Sequence, residues 1–215
     1  MNIRDSVKSS SNKVSAEALA LSDFVKDPSK SLVDRLESFE DIINLEVGDT
    51  GLNRSRAIER EFSFRQFYIK YEGDNPTGTQ KDRIAFAQVY DALRRGFDTV
   101  TLATCGNYGV AMALAAKLAG IKCIIYIPET YHTERIEEMT SLDAEIVRCE
   151  GSYEDAVIKS SLMANEKDWY DANPGGSNTP LQIQSYSQIA YELYEDLGDA
   201  PKYCAVPVSN GTLIA

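Results

Sequence analysis

Residues 98–128, DTVTLATCGNYGVAMALAAKLAGIKCIIYIP, decide the fold. DTVTLAT reads as a strand, and IKCIIYIP as a second strand with no polar face. Between them, GNYGVAMALAAKLAG has the length and composition of a helix. A strand that is apolar on both faces needs cover on both, which is the situation inside a parallel sheet.

The alternation continues on both sides. Upstream, QFYIKYEG (66–73) alternates and is rich in aromatic residues, so it is read as a strand; DRIAFAQVYDALRRG (82–96) is read as a helix closed by Gly96. Downstream, ETYHTERIEEMTSL (129–142) is read as a helix and AEIVRCEG (144–151) as a strand. SYEDAVIKSSLMANEK (152–167) follows as a helix with a serine at its start, and DWYDANP (168–174) as a short strand. TPLQIQSYSQIAYELYEDLG (179–198) is a long helix, and APKYCAVPVSNG (200–211) a last strand running into a glycine turn. Nearer the N-terminus, residues 31–45 place Leu32, Val33, Leu36, Phe39, Ile42 and Ile43 at helical spacing. Residues 46–55 read as a loop, and the polar first 30 residues as a helix or a loose arm. Strands alternating with helices predict βαβ units and an α/β fold, a parallel sheet flanked by helices. Such sheets bind ligands at the loops leaving the carboxyl ends of their strands. The loops at 74–81, 104–109 and 209–212 therefore carry the functional question.

Composition narrows the classes. The chain has 215 residues, 43% apolar and 26% charged, enough for a real core. A net charge of −11 argues against a general nucleic-acid surface. No apolar run approaches the ~20 residues of a membrane span, and the N-terminus lacks a signal-peptide core. The four cysteines show no C-x-x-C spacing and His132 is the single histidine, so no metal site is expected. The reading is a reduced, cytoplasmic protein.

GDNPTGTQK (73–81) almost imitates a phosphate-binding P-loop, but Thr79 and Gln80 stand where Lys and Ser or Thr are required, and Lys81 comes two positions late. No G-x-G-x-x-G is present. Lys81 falls at a helix start, where a cation is electrostatically misplaced and Asp82 is well placed. A lone lysine on a turn is usually solvated; the functional reading is an amine held in a pocket, able to form a Schiff base with an aldehyde cofactor. ATCGNYG (103–109) leaves a strand and opens a helix, the geometry of an anion site, where Thr104, Cys105, Asn107 and the amides around Gly106 can hold a carboxylate. Cys105 is read as a small loop residue rather than a nucleophile, and His132 as a surface or capping residue. VPVSNGT (206–212) ends a strand in small polar residues whose amides can cradle a phosphate.

In this order the three loops resemble the fold-type II pyridoxal-phosphate enzymes, and among them the threonine synthases. NPTGTQKDR is similar to the family's cofactor-lysine motif, TCGNYG to its Ser/Thr-x-Gly-Asn loop, and VPVSNGT to the start of its phosphate loop. LEVGDTGLNRS (45–55) resembles the family's upstream Thr-Pro-Leu segment with Gly51 in place of the proline, and YIKYEG fits the strand before the lysine. The resemblance runs from about residue 45 to the end.

It implies pyridoxal 5′-phosphate as cofactor, carried as a Schiff base by Lys81, which later moves protons. It implies that Asn107 bonds the ring hydroxyl oxygen, that Thr104, Cys105, Gly106 and Tyr108 surround a substrate carboxylate, and that Ser209, Asn210, Gly211 and Thr212 meet the cofactor phosphate. It implies a two-domain architecture: 1–80 contributing to a large domain, 81–172 a small α/β domain with about four parallel strands, and 173–215 the start of the large cofactor-binding domain. Family members continue well beyond this point, so the chain is expected to be the front part of an enzyme, truncated at its C-terminus. The implied activity is that of a lyase of amino-acid biosynthesis, converting O-phosphohomoserine to threonine. Cys105 and Tyr108 depart from the family's Ser-Gly-Asn-Thr form, which keeps a β-replacement enzyme of the cysteine or cysteate synthase kind as the alternative. A catalytically incomplete fragment acting through a partner is the third. An amino-acid substrate and, in the complete form, a homodimer are the expected partners, without nucleic acid or membrane.

Overall fold

The computed structural model describes residues 14–208 and 211–215. Its elements are α1 (Ala16–Lys26), α2 (Leu32–Glu46), β1 (Leu52–Arg54), α3 (Arg56–Phe62), β2 (Tyr68–Lys70), α4 (Lys81–Arg94), β3 (Thr99–Ala103) and α5 (Asn107–Ala119). There follow β4 (Lys122–Pro128), α6 (Arg135–Ser141), β5 (Glu145–Cys149), α7 (Tyr153–Lys167), β6 (Tyr170–Asp171) and α8 (Thr179–Leu197).

The central sheet has the order β5-β4-β3-β6, and all its pairings are parallel. Val100 stands opposite both Cys123 and Tyr170, which fixes the register across its middle. Every residue of β3 is buried, and β4 is buried from Cys123 to Pro128, as its apolar run predicts. On one face lie α4 and α5; α5 is buried all round except at Asn107 and Lys117. On the other face lies α7, which covers Ala103, Ile124, Tyr126 and Cys149. A capping box in which Ser152 and Asp155 exchange hydrogen bonds starts α7.

The buried surface of α5 that faces away from the sheet is covered by α1. Ser15 caps that helix through the amide of Ala18. Its Ala18 and Val25 are fully buried, and Ser22 Oγ donates to Leu118 O at 2.8 Å. The next helix, α2, lies on α4, where Phe39 and Phe86 stack with centroids 6.1 Å apart. The short strands β1 and β2 form an antiparallel pair of their own. Among the described residues no helix is long and apolar enough to cross a membrane.

Three segments differ from the sequence reading. Of 129–142, only Arg135–Ser141 is helical: Tyr131 N turns back to Pro128 O, and Thr133 Oγ1 takes the amide of Arg135, so a hydroxyl sets the helix start. The loop expected at 46–55 contains β1, which exists only because Leu52–Arg54 meets Lys70–Tyr68. The last strand, expected within 200–211, is absent among the described residues. A strand is defined by its ladder, and residues 201–208 pair with no neighbour; Tyr203 is 84% exposed.

Candidate functional site

The turn before α4 is held by its own side chains. Asn75 is buried; its Oδ1 accepts from Gly48 N at 3.0 Å, and its Nδ2 donates to Glu72 O at 3.0 Å. Gly78 closes the turn through Asn75 O at 2.8 Å with φ of 82°, a conformation open to glycine at little cost. Thr77 donates its amide and its hydroxyl to Asp82 Oδ2, at 3.0 and 2.9 Å. The carboxylate that suits a helix start thereby ties the turn to the first turn of α4. Lys81, the first residue of α4, is delivered inward by this arrangement.

Around its amine the surroundings are polar but neutral. Lys81 Nζ lies 3.1 Å from Tyr186 Oη, and 5.5 and 5.9 Å from the ring centroids of Tyr186 and Tyr108. Burial holds the Lys81 amine below the ordinary lysine range, and among the described residues no carboxylate pairs with it to reverse this. Tyr108 Oη donates to Ala172 O at 2.8 Å and accepts from Gln88 Nε2. Gln182 Nε2 in turn reaches Gln88 Oε1 at 3.2 Å and Ala172 O at 3.3 Å. Burial pushes both tyrosine phenols up, so they stay protonated. An amine in this setting releases its proton more readily than a solvated lysine does.

The ionic cluster is built on Arg83, two residues further on. Arg83 is almost fully buried and is gripped from two sides. Its Nε donates to Glu72 Oε2 at 2.7 Å, and its Nη1 and Nη2 donate to Glu192 at 2.6 and 2.8 Å. Lys70 Nζ also reaches Glu192, at 2.7 Å. Burial alone would raise the Glu192 carboxyl; the hydrogen bonds from Arg83 and Lys70 outweigh it and bring the pKa down to about 2. The start of α4 is thus clamped to Glu72, two residues past β2, and to α8.

The loop between β3 and α5 carries the remaining candidates. Thr104 is buried and its amide donates to Tyr126 O at 3.2 Å. Cys105 and Gly106 are half-buried, and the neighbouring Cys105 thiol raises the Tyr131 phenol. Asn107 is exposed, and its Oδ1 accepts from Arg135 Nη2 at 2.6 Å. Asn173 pins the end of β3: its Oδ1 accepts from Ala103 N at 2.8 Å.

The structure therefore brings Lys81 and Tyr108 together, with Thr104, Cys105, Gly106 and Asn107 on the loop that leads into Tyr108. Gly211 and Thr212 are half-buried in a turn of their own, where Ile214 N donates to Gly211 O at 3.1 Å. Ser209 and Asn210 lie outside the described residues. Sequence reading missed Tyr186, Gln88, Gln182, Arg83, Glu192, Asn173 and Arg135. Two signals were available: Gln88 interrupts an otherwise apolar face of α4, and Gln182 and Tyr186 share a face of α8 at i, i+4.

The family model described as "Pyridoxal-phosphate dependent enzyme" matches residues 43–215. The threonine synthase of Methanocaldococcus jannaschii is 31% identical over 171 residues, 79% of this chain and 42% of that protein. The threonine synthase of Bacillus sp. strain ULM1 is 33% identical over 169 residues, 78% of this chain and 47% of that protein. The solved structure of a cysteine synthase from Entamoeba histolytica superposes with a TM-score of 0.63 at 25% identity, covering 73% of this chain and 49% of that one. The chain thus spans about half the length of the curated relatives it matches. With four-fifths of its residues under the family model and the lysine turn built as described, the chain belongs to the pyridoxal-phosphate-dependent enzymes of fold type II, whose cofactor is pyridoxal 5′-phosphate.

Proposed function

We propose that this chain carries the cofactor lysine, Lys81, of an enzyme of the threonine synthase kind, a lyase of amino-acid biosynthesis that takes O-phosphohomoserine to threonine. One observation carries the reading: a half-buried lysine amine, depressed by burial and bonded to a neutral hydroxyl, at the carboxyl side of a parallel sheet. Such an amine is suited to condense with an aldehyde, because the neutral form is the nucleophile. Bound pyridoxal phosphate supplies an electron sink for carbanion chemistry. In this reading Lys81 Nζ holds and returns a proton next to the Tyr186 hydroxyl. Asn107 would hydrogen-bond the ring oxygen, and Ser209, Asn210, Gly211 and Thr212 would hold the phosphate. Thr104, Cys105, Gly106 and Tyr108 receive the substrate carboxylate, with Tyr108 held in place by Gln88 and Ala172 O. The identity with two threonine synthases supports this substrate class.

The second reading is β-replacement of the cysteine synthase kind. It is favoured by the likeness to a solved cysteine synthase and by Cys105 and Tyr108 in the carboxylate loop. Borohydride trapping after incubation with pyridoxal phosphate tests the shared premise. Lys81→Ala is expected to abolish labelling, while Lys70→Ala and Lys122→Ala retain it; undiminished labelling of folded Lys81→Ala would refute the assignment. Product analysis with O-phosphohomoserine, O-acetylserine and phosphoserine then separates the two reactions.

A further inference from the structure

We propose that Arg135 is a positioning residue that locks the Asn107 side-chain amide with its NH2 group turned away from Arg135, free to donate to an anionic ring oxygen. The proposal deepens the pyridoxal-phosphate reading and rests on it. A guanidinium has donors and no acceptor. With Arg135 Nη2 2.6 Å from Asn107, the amide must present its oxygen to Arg135, because the flipped amide would set donor against donor. Among the described residues this is the one hydrogen bond of the Asn107 side chain.

The commonplace role of an asparagine at a helix start is capping. Here Gly106 occupies the cap position with no side-chain bond, and Asn107 already lies within α5. Its amide nitrogen is therefore not spent on its own helix.

Arg135 is also fixed from behind. Its other terminal nitrogen, Nη1, is paired with Glu138, one turn along α6, and their side chains are 22% and 12% exposed. The first turn of α6 is anchored by Thr133 Oγ1, which accepts from Arg135 N at 3.2 Å. The helix is pressed onto α5 so closely that a Cβ at Gly109 would lie 2.6 Å from Met139 Cε. The chain Glu138–Arg135–Asn107 is thus a rigid relay of charge-assisted hydrogen bonds. A carbonyl oxygen engaged by a cation polarises its amide and makes the N–H a stronger donor. A ring oxygen facing that N–H is favoured in its ionised form.

The test is a double-variant cycle on the protein loaded with pyridoxal phosphate, read by the pH dependence of cofactor absorbance and by cofactor affinity. Arg135→Met is expected to move the absorbance midpoint in the same direction as Asn107→Ala, by less, and to weaken cofactor binding about fivefold. Arg135→Lys, which keeps a cationic donor, restores part of both. In the Asn107→Ala background, Arg135→Met adds nothing further. Equal shifts in both backgrounds, or lowered thermal stability with an unmoved absorbance midpoint, would make Arg135 a merely structural residue and overturn the proposal. Borohydride labelling of Lys81 in the same samples separates the two levels. Labelling with additive variants sinks the Arg135 relay alone, whereas wild-type protein without labelling sinks the cofactor reading with it.

Discussion

Arg83 shows how the turn that carries Lys81 is kept in place without a carboxylate bonded to the amine among the described residues. Its guanidinium takes Glu72 and Glu192 together, 11 and 109 residues away, so a residue two positions after Lys81 carries the ionic load. Among the described residues the amine itself meets a hydroxyl and two aromatic rings. A carboxylate there would hold Lys81 protonated. The clamp has a pH signature. The Glu192 pKa lies below its ordinary value of 4.5, at about 2. Its contribution to stability is therefore present above about pH 4.5 and is lost as pH falls through about 2. Glu192→Gln is expected to cost roughly 2 kcal/mol at pH 7, toward the low side for a buried pair because Glu72 remains and water screens part of the interaction. Urea midpoints for wild type and variant should converge between pH 4.5 and pH 2. A gap that stays constant to pH 2 would show that the loss is packing and not charge.

The elements around the site are fitted as closely as the residues within it. The contact between α5 and α6 depends on Gly109, where an added Cβ would meet Met139 Cε at 2.6 Å, Met139 Sδ at 2.9 Å and Thr104 Cγ2 at 2.9 Å. Gly109→Ala removes helix-interior flexibility, worth up to ~1 kcal/mol in its favour. The overpacking works the other way, by about 1–3 kcal/mol. We expect a net loss of about 1 kcal/mol by denaturant unfolding, recovered in part by Met139→Ala in the same chain; a Gly109→Ala protein as stable as wild type would mean that Met139 swings aside without cost. Such fits explain what the sequence could and could not disclose. β3, β4, α5 and α7 were legible because each is a run long enough to show its period or its cap. The lysine turn was legible because Asn75, Gly78 and Lys81 lie within one local motif. β1 was not, since three residues carry no period and pairing with β2 creates it. Tyr186 was not assigned to Lys81 because the two are 105 residues apart, and spacing along one helix says nothing about which other helix it faces. The start of α6 was misplaced because periodicity locates a helix and a single hydroxyl, that of Thr133, ends it.

At the scale of the molecule, one helix sets a requirement for the rest. A helix buried all round must be covered on every side, and α5, from Tyr108 to Ala119, is exposed only at Lys117. The sheet covers one side and α4 a second, while α1 lies against another. That contact is small but specific: Ala18 and Val25 are fully buried, Ser22 Oγ bonds Leu118 O at 2.8 Å, and Lys26 closes over Gly120, whose built Cβ would lie 2.7 Å from Lys26 Cγ. Since α5 begins with Asn107 and Tyr108, loosening its cover loosens Tyr108, whose ring centroid lies 5.9 Å from Lys81 Nζ. Deleting residues 1–27 should therefore cost about 3 kcal/mol, on the order of one or two buried aliphatic side chains plus a hydrogen bond. Binding of a hydrophobic dye should rise as the alanine-rich face of α5 meets water. Ser22→Ala alone should cost about 1 kcal/mol with no gain in dye binding. Both are read by thermal or denaturant unfolding with dye fluorescence. If the deletion leaves the midpoint and the dye signal unchanged, another part of the chain covers α5, and α1 has no bearing on the site.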